Sequence, residues 1–210
     1  MNLAEARDWV EQAIAPLEVG GGELDRLLRN ENNYLSRELR VPTRLVGGID
    51  ATENFLPSPR TRPGGVVRVW EEPSGRRVPV LSIKEASRKF PRWAEESVRY
   101  GKFVVWEPYN VTAPLSPRGF YGGDTLRVMS VVEPEELVND GDFIWDNELP
   151  EFHELVPMKV AADLLVGRSD GVTNEAMLTS LIRRGGMLRE DFQVKMRSAF
   201  ARSYFMQGMA

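Results

Sequence analysis

Residues 147–167, NELPEFHELVPMKVAADLLVG, place the strongest constraint on the fold. Apolar residues recur there at helical spacing: Leu149, Phe152, Val156, Val160 and Leu164. Pro150 suits the first turn of a helix, and Gly167 suits its C-terminal end. Pro157 predicts either a kink or a helix that begins at that residue. The stretch therefore predicts one central core helix.

The residues just before and inside this helix are strongly acidic. Residues 133–154 contain no Lys or Arg and carry these carboxylates: Glu133, Glu135, Glu136, Asp140, Asp142, Asp146, Glu148, Glu151 and Glu154. Such a run is usually a solvated face. Here it separates a strand-like, arginine-containing region from a basic helical tail. A surface that meets a neighbouring subunit is therefore the alternative interpretation.

The N-terminal region predicts two helices. Residues 3–15 place their apolar side chains on one stripe, and residues 23–40 repeat leucine at helical spacing. Acidic residues open the second helix, and Arg37 and Arg40 lie near its end, which suits the helix dipole. The two helices are expected to form one face of a small bundle.

From residue 43 onward the pattern becomes that of strands. Short apolar runs lie between Pro and Gly turn signals, at 45–46, 66–70, 78–81, 103–106 and 126–131. Residues 82–90 predict a short helix, followed by a second helical turn after Pro91. The segments 57–65 and 108–123 are long loops, which are commonly interaction surfaces.

The C-terminal region predicts two further helices. Thr173 is a suitable N-cap for the first, and Gly185 and Gly186 are expected to end it. The fold class is therefore α+β. We predict an α-helical bundle from residues 1–42 and 133–206, with an antiparallel β-rich subdomain inserted at 43–132.

Composition excludes several functional classes. The 210-residue chain has no Cys, so it has no disulfide, thiolate metal site or thiol nucleophile. Its net charge of -4 argues against a general nucleic-acid coat. The acidic N-terminal start does not resemble a signal peptide, and no apolar run is long enough to span a membrane.

The residues that could carry chemistry favour structural roles. His153, the only histidine, lies in the acidic run and is interpreted as structural. The sequence Asp140-Gly141-Asp142 is interpreted as a turn because it lacks the ligand series of a calcium loop. A carboxylate pair for glycoside hydrolysis has little support, since spacing alone cannot bring two acids face to face. We expect no catalytic residues, no metal and no cofactor.

Two basic regions are candidates for binding. Arginines at 60, 62, 68, 76 and 77 could contact a phosphate backbone, but Glu71 and Glu72 interrupt them, which favours an exposed hairpin of mixed charge. Residues 183–202 carry six basic residues against two acids, beside an apolar stripe that continues to the chain end. That stripe is either intramolecular core or a helix that docks into a partner's groove.

The order of these features resembles the head-to-tail adaptor (connector) proteins of tailed bacteriophages. The resemblance rests on the two N-terminal helices and on a β-rich insertion introduced by TENFLP at 52–57. EPEELVNDGD at 133–142 follows, and Glu148-Leu149-Pro150 then leads into FHELVPMKVAADLL. It covers most of the chain as order and pattern and is most specific in residues 131–166.

The resemblance implies a structural virion protein with no catalytic task. Such proteins form a ring, commonly a dodecamer, between the portal protein and the tail or tail-completion (nozzle) proteins. Double-stranded DNA passes through the channel without sequence recognition. The location would be the virion neck, assembled in the host cytoplasm and without membrane contact.

The resemblance also implies site residues. The C-terminal helix and tail would dock on the portal through Met187, Leu188, Phe192, Met196, Phe200, Tyr204, Phe205 and Met206. A ring of identical subunits needs two complementary faces. We predict that the acidic and basic segments lie on opposed faces, with these interface residues: Glu133, Glu135, Glu136, Asp140, Asp142, Glu151, Arg183, Arg184, Arg189, Lys195 and Arg197.

Three alternatives stay open at this point. A tail-completion or tail-terminator protein would also form a ring but would dock on the tail tube, and the helical frame favours the adaptor. A carboxylate-dependent glycoside hydrolase would depend on a single acid of the run. A solitary binding module would function without residues 187–210.

Overall fold

A computed structural model describes residues 1–56, 61–72, 74–95, 101–107, 110, 113–168 and 172–209; side chains are not described at 61–67, 146–147 and 204–209. The chain divides into two compact units. We call Met1–Pro42 with Pro134–Ala210 the helical unit, and Thr43–Glu133 the β-rich unit. The predicted α+β class is confirmed.

The elements follow one another in this order: α1 (Leu3–Ile14), α2 (Gly21–Leu39), β1 (Thr43–Asp50), β2 (Thr61–Glu72), β3 (Arg77–Val78), β4 (Val80–Ser82), α3 (Ile83–Lys89), β5 (Phe103–Trp106), β6 (Leu115–Arg118), β7 (Thr125–Val132), α4 (Leu155–Gly167) and α5 (Glu175–Met209). Short 3-10 turns lie at Ile144–Asn147 and Pro150–Phe152. Within the described ranges, none of the helices combines the length and apolarity needed to cross a lipid bilayer.

The two N-terminal helices are confirmed, and their ends have clear local causes. Asn2 caps α1 by accepting a hydrogen bond from the Glu5 N–H, while the Glu5 carboxylate accepts one from the Asn2 N–H, both at 2.9 Å. Helix α2 ends at Arg40, whose φ of 55° is left-handed. The leucines at 24, 28, 35 and 39 are fully buried along one side of α2.

The central helix is also confirmed, and of the two alternatives at Pro157 the structure supports a helix that begins close to that residue, not a kink. Before it the chain forms two 3-10 turns, and Leu149, which lies between them, has a left-handed φ of 49°. Helix α4 then begins at Leu155 and places Pro157 in its first turn, where no intrahelical partner is lost. It is buried on nearly every side because α1, α2 and α5 all pack against it.

The predicted helix break at Gly185 and Gly186 is wrong, because α5 continues through both residues to Met209. A Cβ added at Gly185 would lie 2.9 Å from Val166 Cγ2 and 3.2 Å from Leu165 Cβ. Gly185 therefore permits close packing of α5 on α4. At 1.5 Å per residue the helix is roughly 52 Å long.

The β-rich unit contains two sheets. The first has the strand order β1-β7-β2-β3 with antiparallel pairs, and the second has the order β4-β5-β6. The buried residues of the first core include Val69, Leu126 and Val128, and a smaller core contains Leu81, Phe103 and Val105. The predicted short helix at 82–90 is confirmed as α3, with a Ser82–Glu85 capping box.

The strands of the β-rich unit correct three predictions. Strands β4 and β5 pair in parallel, joined by a connection that includes α3, so the unit is not wholly antiparallel. Strand β6 lies in a predicted loop, and its Pro117 is tolerated because β6 is an edge strand. Pro79 divides the predicted run 78–81 into β3 and β4. Residues 91–94, where a second helical turn is predicted, form hydrogen-bonded turns. The loop positions 57–60, 108–109 and 111–112 lie outside the described residues.

Candidate assembly surface

Two carboxylates of the predicted interface organise the loop before the central helix. Arg7 of α1 donates from Nε to Asp25 and from Nη2 to Asp140, both at 2.9 Å, and these bonds raise the pKa of Arg7. Asp142 Oδ2 accepts the N–H groups of Val138 and Asn139 at 2.7 Å, which lowers the pKa of Asp142. Asp140 and Asp142 therefore hold the loop in the helical unit.

The same loop also completes the start of α1. The N–H groups of Leu3 and Ala4 donate to the carbonyls of Asp142 and Asp140 at 3.0 and 3.1 Å. These are two of the N–H groups that a helix start leaves without an intrahelical partner. The interpretation of Asp140-Gly141-Asp142 as a turn is consistent with these contacts.

Glu133, Glu135 and Glu136 have exposed side chains at the beginning of the acidic run. Glu133 ends the β-rich unit, whereas the other two belong to the helical unit. Their place in a subunit interface stays a prediction. Asp146, which shares the run, has a side chain outside the described set.

The end of the acidic run contacts the basic segment of the same chain, which contradicts the expected separation onto opposed faces. Lys195 Nζ lies 2.5 Å from Glu154 Oε1, and Arg202 Nε lies 3.6 Å from Glu151 Oε1. Arginine and lysine side chains of α5 thus neutralise acids next to α4. Sequence alone gave no sign of these pairs, because they join residues more than forty positions apart.

Two more cations of the predicted interface make contacts within the helical unit. Arg189 Nη2 lies 3.3 Å from Asp163 Oδ1 on α4. Arg184 donates to the carbonyls of Ala13 and Ala15, the latter at 2.7 Å, at the C-terminal end of α1. A cation at a helix C-terminus satisfies carbonyls there and is favoured by the helix dipole. Both side chains therefore stabilise the unit itself.

The predicted portal-docking residues fall into three groups. Leu188, Phe192 and Met196 pack against the buried core of the helical unit. The side chains of Met187 and Phe200 are 57% and 42% exposed, so docking stays a prediction for them. Tyr204, Phe205 and Met206 have side chains outside the described set.

One side of α5 remains uncovered by its own unit. Exposed residues recur there at spacings of three and four, and we call them the outer α5 face: Arg183, Met187, Glu190, Val194, Arg197 and Ala201. Val194, with an exposed fraction of 63%, was not predicted. Its position seven residues after Met187 was the available signal. Arg183 and Arg197 place two of the predicted interface cations on this face.

Both ring nitrogens of His153 are engaged in contacts inside the helical unit. Its ring is buried; Nε2 lies 2.5 Å from the Glu148 carbonyl and Nδ1 lies 3.1 Å from the N-terminal amine. A neutral ring with the proton on Nε2 donates to the carbonyl and accepts from the amine. Burial is the main cause that lowers the pKa of His153. Across the described part of the chain, no group of three or more His, Asp or Glu side chains is arranged to hold a metal ion.

Comparison with known proteins leaves the chain without an assigned family. No protein-family model matches it, and a search of curated proteins found no match.

Proposed function

We propose that the chain is a structural virion protein, a head-to-tail adaptor whose ring joins the portal to the tail and lines the DNA channel. The observation that carries the proposal is the outer α5 face, which presents exposed Met187 and Val194 along a long helix whose other side is core. Met187 and Val194 lie about two helical turns apart on this face, so one partner surface can contact both. The resemblance in residues 131–166 supports the same assignment.

In a ring, each subunit must present two different surfaces that fit each other. We propose that the outer α5 face of one subunit meets the exposed acids Glu133, Glu135 and Glu136 of the next. Arg183 and Arg197 flank the apolar residues of the outer face and complement those carboxylates. Complementary charge of this kind fixes the register of an interface more than it adds affinity.

The proposed arrangement of the subunit is a helical bundle with the β-rich unit inserted into it. The chain leaves the helical unit after Pro42 and returns at Pro134, which supports an insertion. The proposed partners are further copies of the chain in a dodecamer, the portal, the tail or tail-completion proteins, and DNA passing without sequence recognition. No catalytic step is assigned.

The alternatives receive less support. A hydrolase would need carboxylates that are available to a substrate. Asp140 and Glu154 instead form ion pairs, and Asp142 accepts backbone N–H groups of a turn. A tail-completion ring is a closer competitor, but the helical unit, with its long α5, favours the adaptor.

The test is the mass of the purified protein by light scattering, alone and mixed with the portal of the same particle. We expect a ring-sized complex for the natural chain. The double substitution Met187→Lys with Val194→Lys should abolish it, because two charges would enter the apolar part of the contact. Deletion of residues 187–210 is unsuitable, since Leu188, Phe192 and Met196 belong to the core.

Leu45→Lys is the matched control, because Leu45 is an apolar residue of the β-rich unit with an exposed fraction of 56%. It should leave the complex intact. A natural chain that stays monomeric with and without the portal would contradict the proposal. Equal loss of assembly in the control and the double variant would contradict the assignment to the outer α5 face.

A further inference from the structure

The β-rich unit contains a cavity that the assembly proposal does not use. It has a volume of about 620 Å³ and opens between the β3–β4 junction, the end of α3, and the residues before β5 and after β6. Small-molecule pockets commonly measure about 300–1,000 Å³. The cavity therefore has the size of a ligand site.

The floor of the cavity is apolar. Val78, Leu81 and Phe103 are buried there, with exposed fractions of 4%, 7% and 3%. Phe90 also lines the cavity and stacks on Phe103 with a centroid separation of 4.7 Å. Tyr121 stands at the wall with just over half of its side chain exposed, so it offers an aromatic surface to a ligand.

The rim is basic. Arg76, Arg77 and Lys89 line the cavity and are exposed. Among the residues described, no carboxylate lies within ion-pair distance of these three side chains. Glu85, one helical turn before Lys89, directs its carboxylate to Ser82 at the start of α3.

Among the described residues, the one acid that lines the cavity is Glu71, and it is already neutralised. Glu71 contacts Lys102 Nζ, and the same ammonium lies 2.9 Å from Asp124 Oδ2. The Lys102 bond is the main cause that lowers the pKa of Glu71. The described residues that line the cavity thus include four cations and one carboxylate, in a chain whose net charge is -4.

We propose that this cavity binds a phosphomonoester carried on a flat ring, a nucleotide being the simplest ligand of that class. The phosphate would lie among Arg76, Arg77 and Lys89, since guanidinium groups match phosphate oxygens with paired N–H donors. The ring would lie over the apolar floor beside Tyr121, where stacking requires no specific base. The proposal stands independently of ring assembly, because the described residues that line the cavity all belong to the β-rich unit.

Isothermal titration calorimetry of the full chain tests it with three probes: adenosine 5′-monophosphate, inorganic phosphate and adenosine. We expect the nucleotide to bind once per chain and at least tenfold more tightly than either of its two parts. Binding of the nucleotide no tighter than that of inorganic phosphate would overturn the proposal, because the floor would then contribute nothing. A short polyglutamate peptide that binds as tightly as the nucleotide would also overturn it.

Exposed charged residues provide variants that leave the core untouched. Arg77→Ala and Lys89→Ala should each weaken nucleotide binding about tenfold, which corresponds to the loss of one charge-assisted contact. Arg88→Ala is the matched control, because Arg88 precedes Lys89 on α3 and does not line the cavity. Equal weakening in the control would overturn the proposal.

Tyr121→Ala separates the two parts of the site. It should weaken nucleotide binding about tenfold and leave phosphate binding unchanged, because only the ring loses a contact. An unchanged affinity for the nucleotide would contradict the placement of the ring. Thermal unfolding of each variant establishes that the fold is retained.

Discussion

Helices α4 and α5 pack against each other and yet relate to their surroundings in opposite ways. Helix α4 is buried among α1, α2 and α5 and has almost no polar side. Helix α5 buries one side, including Leu181 and Ala199, and exposes the other. The difference indicates that α4 determines whether the helical unit folds, whereas the outer side of α5 is available for contacts with other molecules.

The largest expected effect is on α4. Leu165→Ala should lower the free energy of unfolding by about 2–5 kcal/mol, because the side chain is fully buried and its removal leaves a cavity. Val194→Ala on the outer α5 face is the matched change and should alter the free energy of unfolding by at most about 0.5 kcal/mol. Urea unfolding measures both. Similar losses in the two variants would break the distinction between the helices.

A second test concerns the packing of the two helices. Gly185→Ala should destabilise the protein by about 1–3 kcal/mol, because the new methyl group would crowd Val166 and Leu165. Gly186→Ala meets no atom within 4 Å and should stabilise it by up to about 1 kcal/mol through helix propensity. In thermal unfolding, a lower melting temperature for Gly185→Ala and a higher one for Gly186→Ala would support close packing of α5 on α4 at Gly185. The same sign in both would contradict the role given to Gly185.

The third prediction is a pH dependence at the approach to α4. The folded pKa of His153 lies below its unfolded value of about 6.5, so the folded state binds fewer protons in that range. Stability should be complete above about pH 6.5 and should fall as the pH drops toward 5. His153→Gln should flatten this part of the profile in thermal unfolding. An unchanged slope would contradict the assignment.

Glu31 on α2 supplies a control of opposite sign. Burial raises the pKa of its carboxyl group, so protonation of Glu31 favours the folded state as the pH falls. Glu31→Gln removes that compensation, so the loss of stability should be steeper as the pH falls through the raised pKa of Glu31. The two variants together separate the histidine from the carboxyl group.

The smallest expected effect concerns the ion pair between Glu151 and Arg202. Both side chains are about half exposed, and water and salt screen such pairs. Glu151→Gln should lower the melting temperature by at most about 3 °C. The difference should disappear at high salt. A large, salt-independent loss would show that α5 depends on its charged contacts as much as on its buried side.

Local periodicity was sufficient for part of this structure. It predicted α1, α2, α3 and the core character of α4, because each has a regular apolar pattern or a capping box. It failed at Gly185, where a breaker and a close-packing residue look the same in sequence. The neighbouring side chains of Val166 and Leu165 on α4 distinguish them. Strand β6 was missed because Pro117 resembles a loop residue unless the strand is known to lie at an edge.

The candidate site was predictable to a smaller extent. Apolar residues occur on both sides of α5, so periodicity could not separate the core residues Leu188 and Phe192 from the exposed Met187. The contact between Lys195 and Glu154 was inaccessible for a different reason. It depends on how α5 returns along α4, and no local pattern encodes that path.

The contacts at the two ends of α1 have a consequence for synthesis on the ribosome. Its first N–H groups bind carbonyls at 140 and 142, and its last carbonyls bind Arg184. Translation proceeds from the N-terminus, so α1 is made long before these partners exist. The β-rich unit, by contrast, is contiguous and has all its strands once residue 133 has been added. We expect nascent chains whose β7 has just left the ribosomal exit tunnel to present an ordered β-rich unit beside an N-terminal region that still binds chaperones.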